Sequence, residues 1–275
     1  ISLAEFFWRA QQILVYPTMQ GQVELLSDDA ILAQQKEIAE EITATQKQIG
    51  DLEAPQVLLE EYKENNAFHP KIGQIIDLYK GIRRSRKDGS CFYRSFIFAY
   101  LEMIKSFPEK VTKATEHATQ VKNQLLVFGY PEFTVGDFHE SYVDLLKEIS
   151  KDGGITSDEL KEKLRDNSVD MPIVYFTRLV TSASMQQQPD KFEAFCMAMG
   201  SSSVKQFCQN NVEPPAANAD QLQITALTDS FQVGTRVVYL DGSSGQLNHH
   251  DFPDGVEPVI HLLYRPGHYD LLYLK

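Results

Sequence analysis

Cysteine is scarce in this chain of 275 residues, which has only three, at positions 91, 196 and 208. An odd number without paired spacing argues against a disulfide framework and indicates a reducing compartment. Cys196 and Cys208 are too far apart for a metal-binding pair, and the adjacent His249 and His250 lack further ligands at a suitable spacing. The sequence therefore predicts no metal and no cofactor, and a cytoplasmic location with the nucleus as a second one.

Basic residues and long apolar runs are also in short supply. The 26 Lys and Arg residues face 38 Asp and Glu residues, which gives a net charge of −12. This balance argues against nucleic acids and anionic membranes as partners. Residues 1–26 contain apolar clusters, but Glu5, Arg9 and Pro17 interrupt them, so neither a membrane span nor a signal peptide is predicted. Whether this segment binds a partner or packs on its own domain stays open.

The stretch from Lys87 to Ser95 has the features of a reactive cysteine site. A turn at Asp88 and Gly89 leads into the small capping residue Ser90 and then Cys91. Apolar residues follow at helical spacing: Phe92, Phe96, Ala99, Tyr100 and Met103. Cys91 is thus predicted on the first turn of a buried helix, where free N–H groups and the helix dipole favour a thiolate and can receive an oxyanion. On these residues alone, a small buried cysteine remains the alternative.

A histidine and an acid occur together near the other end of the chain. Residues 259–264 and 268–273 are predicted to form two strands joined by a turn at Arg265–Gly267. Side chains two apart in a strand share a face, so Asp270 can lie beside His268 and orient its imidazole. Cysteine, histidine and an orienting acid are the parts of a thiol hydrolase. By itself such a His–Asp pair is more often structural.

These two motifs together resemble the otubains, the ovarian-tumour (OTU) class of cysteine deubiquitinases. The resemblance rests on Asp-Gly-Ser-Cys-Phe-Tyr-Arg-Ser at 88–95 and Tyr-Arg-Pro-Gly-His-Tyr-Asp at 264–270, and it extends from about Asp28 onward. Three further segments carry it, at 133–139, 174–182 and 212–214. Otubains usually have Asn where this chain has Ser90. Because the oxyanion donors would be backbone N–H groups, we expect this change to tune activity without abolishing it.

The order of the predicted elements indicates an α+β fold. Helical patterns dominate up to residue 231, and three strands follow at 236–240, 259–264 and 269–274. The segment 173–181 suits helix or strand equally by its residues, and the resemblance makes it a helix. The resemblance also implies the OTU papain-like cysteine protease fold, a small central sheet between helical layers with the cysteine on a central helix. The basic residues Arg83, Arg84, Arg86 and Lys87 are expected in a solvated approach loop or against the substrate tail.

The chain is predicted to consist of an N-terminal arm at 1–50 and a catalytic domain at 51–275. Ser27–Asp29 can cap a polar helix on which four isoleucines form a narrow stripe: Ile31, Ile38, Ile42 and Ile49. The equivalent otubain arm contacts ubiquitin and ubiquitin-conjugating enzymes. The resemblance therefore implies that Ile31 and Ile38 bind ubiquitin, whereas an ordinary amphipathic helix remains the alternative.

Two more regions acquire roles through the resemblance. A small helical insertion at 192–199 and 204–208 corresponds to part of the distal ubiquitin surface, with Phe192 and Phe195 as binding residues. Glu213 lies in a Val-Glu-Pro loop that approaches the active site of otubains without substrate. Since an acid there can divert His268, Glu213 is expected to be regulatory, and its replacement by Ala to raise basal turnover.

The resemblance implies a deubiquitinase that cleaves isopeptide bonds of ubiquitin chains, joined through ubiquitin's lysine forty-eight. Cys91 would be the nucleophile, His268 the base and acid, and Asp270 its orienting partner, with backbone N–H groups from Asp88 to Cys91 binding the oxyanion. An alternative is a regulator that sequesters ubiquitin-charged conjugating enzymes without chemistry. A different ubiquitin-directed hydrolase is a remoter option, and a papain-like peptidase lacks support because its usual cysteine signature is missing.

Overall fold

A computed structural model describes residues 16–17, 23–24, 28–151, 154–243 and 245–275. The expectations for residues 1–26 fall almost entirely outside this range, as does the side chain of Ile31. The chain divides into two compact units, Ile1–Gln46 and Lys47–Lys275. This boundary lies four residues before the predicted one, because Ile49–Glu53 is a strand of the second unit.

Among its described residues, the first unit contains one long helix. Strands β1 (Tyr16–Pro17) and β2 (Val23–Glu24) pair antiparallel, and helix α1 spans Asp28–Thr45. The predicted stripe is therefore one residue too long, since the helix ends before Ile49. Near this end the Thr43 and Thr45 hydroxyls donate to carbonyls four residues earlier, at 2.8 and 2.7 Å. On this helix Ile38 is half-buried and Ile42 is buried.

In the second unit, ten α-helices and six strands occur among the described residues. The helices are α2 (Val57–Glu61), α3 (His69–Leu78), α4 (Cys91–Ile104), α5 (Pro108–Val127), α6 (Glu132–Ile149), α7 (Ser157–Lys163), α8 (Asn167–Gln187), α9 (Pro189–Ala198), α10 (Val204–Asn211) and α11 (Gln221–Phe231). The strands are β3 (Ile49–Glu53), β4 (Tyr79–Ser85), β5 (Gly234–Tyr239), β6 (Asn248–Phe252), β7 (Pro258–Arg265) and β8 (His268–Leu274). The helix predicted by resemblance at 173–181 is confirmed as part of α8.

The six strands form one sheet in the order β3-β4-β8-β7-β5-β6. Strands β5 and β7 are parallel, and every other neighbouring pair is antiparallel. Alternate residues of each inner strand face opposite sides: on β8, Leu271 packs with α4 and Leu272 with α2 and α3. The α+β prediction, with a sheet between helical layers, is confirmed.

The basic residues before the active-site turn were expected in a solvated loop, but the structure has a strand, β4, up to Ser85. Arg83 and Arg86 are 4% and 8% exposed. The Arg83 guanidinium lies over the rings of Phe98 and Tyr273 and donates to the Gly50 carbonyl. A strand with this many cations has no apolar alternation, so the sequence pattern concealed it.

Helix α4 forms the centre of the second unit. Twelve of its fourteen residues are buried, which is expected of a helix that is covered on all sides. Phe92 contacts Tyr269 of β8 edge-on at 5.4 Å, and Phe96 contacts Phe231 of α11 at 5.2 Å. The first of these contacts holds the start of α4 against the start of β8. No helix among the described residues has an apolar stretch long enough to cross a membrane.

We predict that Leu262→Ala lowers the free energy of unfolding by about 2–5 kcal/mol, because the substitution opens a cavity in the sheet core. Leu262 is 0% exposed, whereas Val259 on the same strand is 58% exposed. Val259→Ala is thus the matched control and should change stability by less than about 0.5 kcal/mol. Chemical denaturation measures both, and equal losses would contradict the assigned register of β7.

Candidate active site

The turn before Cys91 is held by close packing. Gly89 has φ +83°, and a Cβ built on it would lie 2.5 Å from the carbonyl oxygen of Ala216. Only glycine fits both the backbone conformation and the space. The segment from Val212 to Ala217 therefore lies directly against this turn, which leads into Cys91 at the first residue of α4.

Asp88 acts on this turn through its side chain. Its Oδ1 accepts the Ser90 N–H at 3.0 Å, and both carboxylate oxygens accept from Arg94, at 2.9 and 2.8 Å. Burial raises the pKa of Asp88, but the hydrogen bonds and charge of Arg94 more than offset this, so the pKa is lowered. Asp88 is thus an ionised anchor. Because Asp88 accepts the Ser90 N–H, this group is not available to bind an oxyanion.

Ser90 is not the side-chain cap that the sequence predicted. It occupies the N-cap position, but its hydroxyl makes no capping hydrogen bond. Instead it donates to the Pro215 carbonyl at 3.0 Å and accepts from Arg178 Nη2 at 2.9 Å. The position is therefore used for docking the 212–217 segment, not for capping α4.

Arg178 is a residue that the sequence reasoning missed. It is 0% exposed and lies over the Tyr93 ring at 4.2 Å. Its guanidinium donates to five acceptors at 2.7–3.0 Å: the carbonyls of Gly89, Val212, Pro215 and Ala217, and the Ser90 hydroxyl. A single buried cation thus joins the turn to the facing segment. The only signal for it was one arginine within the apolar pattern at 173–181.

His268 and Asp270 lie side by side at the start of β8, as the strand spacing predicted. His268 Nε2 is 2.8 Å from Asp270 Oδ1, and the two residues are 2% and 0% exposed. The same Oδ1 accepts the backbone N–H of Ser85 at 3.0 Å. Asp270 Oδ2 is bonded by Arg265 and lies 3.4 Å from Arg84. The charges of His268, Arg265 and Arg84 outweigh burial, so the pKa of Asp270 is held well below its usual range.

The second nitrogen of His268 is available to Cys91. Nδ1 is buried and has no hydrogen-bond partner within the described part of the chain. Burial lowers the pKa of His268, but the charge of Asp270, the charge of Cys91 and the hydrogen bond with Asp270 together raise it above its usual value. The imidazole therefore keeps its proton to a higher pH than a free histidine does. A protonated imidazole beside a cysteine stabilises the thiolate, which is the nucleophilic form.

Glu213 lies away from this pair. Its Oε1 accepts from the Tyr130 hydroxyl at 2.5 Å and from the Ser182 hydroxyl at 2.8 Å. Gln186 donates to both of these hydroxyl oxygens. In this structure Glu213 therefore anchors the 212–217 segment to α8, and the acid beside His268 is Asp270.

The predicted ubiquitin-binding residues are placed differently from one another. Phe192 is 1% exposed and packs with Phe207 and Val212, so in this structure it is a core residue with almost no exposed surface, although it also lines a surface groove. Phe195, one helical turn later, is 60% exposed. It lines a surface groove between α9 and the start of α11 together with Met199 and Leu222. Ile38 is half-buried on α1, and the side chain of Ile31 is outside the described part.

Comparison with known proteins covers nearly the whole chain. The family model described as Peptidase C65 Otubain matches residues 41–274. Ubiquitin thioesterase OTUB1 from Homo sapiens is 37% identical over 251 residues, which are 90% of this chain and 91% of that protein. The ovarian tumor domain-containing deubiquitinating enzyme 1 from Arabidopsis thaliana is 36% identical over 295 residues, with 94% and 96% covered.

A solved structure agrees with the sequence relatives. The h/ceOTUB1–ubiquitin aldehyde–UBCH5B~Ub structure superposes with a TM-score of 0.83 at 31% identity, over 90% of this chain and 98% of that one. The family-model match at residues 41–274 includes both the turn before Cys91 and the strand that carries His268 and Asp270. The chain therefore belongs to the otubain family, peptidase C65.

Proposed function

We propose that this protein is a cysteine deubiquitinase that hydrolyses isopeptide bonds of ubiquitin chains. The observation that carries the proposal is the arrangement of Cys91, His268 and Asp270 at the adjoining ends of α4 and β8. Relatives with the names ubiquitin thioesterase and deubiquitinating enzyme support the substrate class.

Each residue has a task in the proposed reaction. The Cys91 thiolate attacks the carbonyl carbon of ubiquitin's C-terminal glycine, and the N–H groups of Asp88, Gly89 and Cys91 stabilise the tetrahedral oxyanion. His268 Nδ1 gives its proton to the leaving lysine amine, and the amine departs as the acyl-enzyme forms. His268 then accepts a proton from water, which attacks the thioester and releases Cys91. Asp270 keeps Nδ1 directed at sulfur by holding Nε2.

We further propose that the chain prefers linkages through ubiquitin's lysine forty-eight and also binds ubiquitin-charged conjugating enzymes. The preference rests on the otubain resemblance. The second activity is supported by the related OTUB1 structures, which contain UBCH5B~Ub and UBC13~Ub. The two activities are compatible, because binding does not need the sulfur of Cys91. A purely non-catalytic regulator remains the second candidate, and replacing Cys91 distinguishes the two.

We predict that Cys91→Ala lowers kcat on diubiquitin by roughly three orders of magnitude or more, and His268→Ala nearly as much. Asp270→Asn should be milder, on the order of 10²-fold, because the imidazole loses orientation but not its place. A panel of diubiquitins of all linkages, read by electrophoresis, measures these losses and the linkage preference together. Cys208→Ala is the control, since this buried cysteine is in a separate core cluster. A Cys91→Ala protein that cleaves at the parental rate would refute the proposal.

For Glu213→Ala we predict a fall in turnover from the contacts of Glu213, whereas the sequence resemblance predicted a rise. Glu213→Ala removes the side chain that anchors the 212–217 segment. Because this segment packs on Gly89 and Ser90, the turn before Cys91 should become less well held. We expect kcat on a fluorogenic ubiquitin amide to fall roughly three- to tenfold, equivalent to about 0.7–1.4 kcal/mol. Glu116→Ala, at an exposed position of α5, is the control. A rise in basal turnover would instead favour the regulatory role inferred from the sequence.

The arm is expected to serve binding. We predict that deleting residues 1–45 weakens binding to ubiquitin-charged conjugating enzyme by at least about tenfold, or roughly 1.4 kcal/mol. Cleavage of a fluorogenic ubiquitin amide and the melting temperature should stay nearly unchanged, since residues 47–275 form a compact unit with their own core. Binding titrations and a thermal melt measure this. Unchanged binding with a large drop in melting temperature would show that α1 is structural.

A further inference from the structure

Arg265 is a buried cation that the mechanism above does not use. It is the last residue of β7, and its side chain is 2% exposed. One side of its guanidinium bonds Asp270 Oδ2, and Nη1 donates to Glu61 Oε2 at 2.8 Å. Glu61 ends α2 and is at the surface, with a side chain 36% exposed. A continuous chain of charges therefore runs from the surface at Glu61 through Arg265 and Asp270 to His268.

Arg84 is a second cation that contacts both Asp270 and Glu61. Its Nη1 lies 3.4 Å from Asp270 Oδ2, and its Nη2 bonds Glu61. Two guanidinium groups thus approach the same oxygen of Asp270, and Glu61 bridges them from outside. The other oxygen, Oδ1, is left for His268 and the Ser85 N–H. Since a carboxylate with one oxygen fixed by a buried arginine cannot turn freely, Oδ1 stays directed at Nε2.

We propose that Arg265 is a positioning residue for the triad, which holds Asp270 on His268 and, balanced by Glu61, sets how firmly His268 retains its proton. The inference rests on the proposed function for its catalytic meaning. The predicted effect on the protonation of His268 can be measured without any ubiquitin substrate.

Several charged or titratable groups surround the His268–Asp270 pair, and the sign of the effect follows from them. They are Arg265 on β7, Arg84 on β4 with Glu53 of β3 at 3.7 Å from it, Glu61 and Tyr62 at the end of α2, Lys87 after β4, and Cys91 on α4. A cation near His268 opposes its protonation, and an anion favours it. Removing the Arg265 charge should therefore raise the pKa of His268, and removing the Glu61 charge should lower it.

The central comparison is between Arg265→Gln and Glu61→Gln. In Arg265→Gln the midpoint of the His268 titration should move up by roughly half a pH unit or more, and in Glu61→Gln it should move down. Arg265→Lys keeps the charge but loses the planar fork, so its midpoint should stay near the parental value while kcat still falls. Arg236→Gln, which breaks the Arg236–Asp251 pair at the far edge of the sheet, should leave the midpoint unchanged.

Two measurements are made on each full-length variant. The ring carbon-13 shift of His268, assigned among the seven histidines by a His268→Gln protein, gives the titration midpoint. The pH profile of kcat on a fluorogenic ubiquitin amide gives the alkaline limb, where the imidazolium is lost; this limb should move in the same direction as the midpoint. A role confined to stability would lower kcat or the melting temperature without these opposite shifts.

The outcome separates this inference from the proposed function. If Arg265→Gln and Glu61→Gln leave the midpoint unchanged, or move it in the same direction, the inference is wrong even if the parent cleaves ubiquitin. If the parent fails to cleave any ubiquitin substrate while the midpoints shift oppositely, the proposed function fails and the electrostatic role stands. Should Arg265→Gln not fold, Arg84→Gln replaces it: its side chain is 20% exposed, and an upward shift is expected.

Discussion

The carboxylate of Asp270 has no exposed surface, and the elements around it are arranged so that it never lacks a donor. A buried carboxylate without partners would cost several kcal/mol or take up a proton. Here β8 supplies His268, β7 supplies Arg265, and β4 supplies Arg84 and the Ser85 N–H. Three adjacent strands must therefore keep their register for one carboxylate to remain ionised. Their fixed register is also what places His268 opposite the start of α4.

A second set of buried charges fixes the other half of the site. Arg94 joins Asp88 to Asp170, and Arg178 joins the Gly89–Ser90 turn to the segment from Val212 to Ala217. Both arginines are on helices, α4 and α8, that pack in the core. Cys91 lies between these two sets of charges, at the first residue of α4. These buried arginines therefore fix the backbone that leads into Cys91.

The otubain resemblance and the contacts in this structure can be compared at two positions, Ser90 and Glu213. At Ser90 the hydroxyl bonds Pro215 and Arg178, so a side chain with both donor and acceptor groups suits this position. The expectation that Ser in place of the usual Asn tunes activity without abolishing it stays a prediction. At Glu213 the resemblance suggested contact with the active site, whereas the structure has the carboxylate bonded to Tyr130 and Ser182.

The sequence by itself determined the parts that depend on local spacing. Cys91 on a first helical turn, and His268 two residues before Asp270 on a strand, follow from periodicity, and the α+β class follows from the order of elements. The tertiary structure alone decided what depends on distant contacts. Strand β4 was hidden because its Arg83 is buried by distant partners, Phe98 and Tyr273. Phe192 turned inward while Phe195 stayed exposed, and Arg178 and Arg265 became central because acceptors far apart in the chain converge on them. A charged residue shows its partners only when the chain is folded, since burial and pairing are properties of the assembled core.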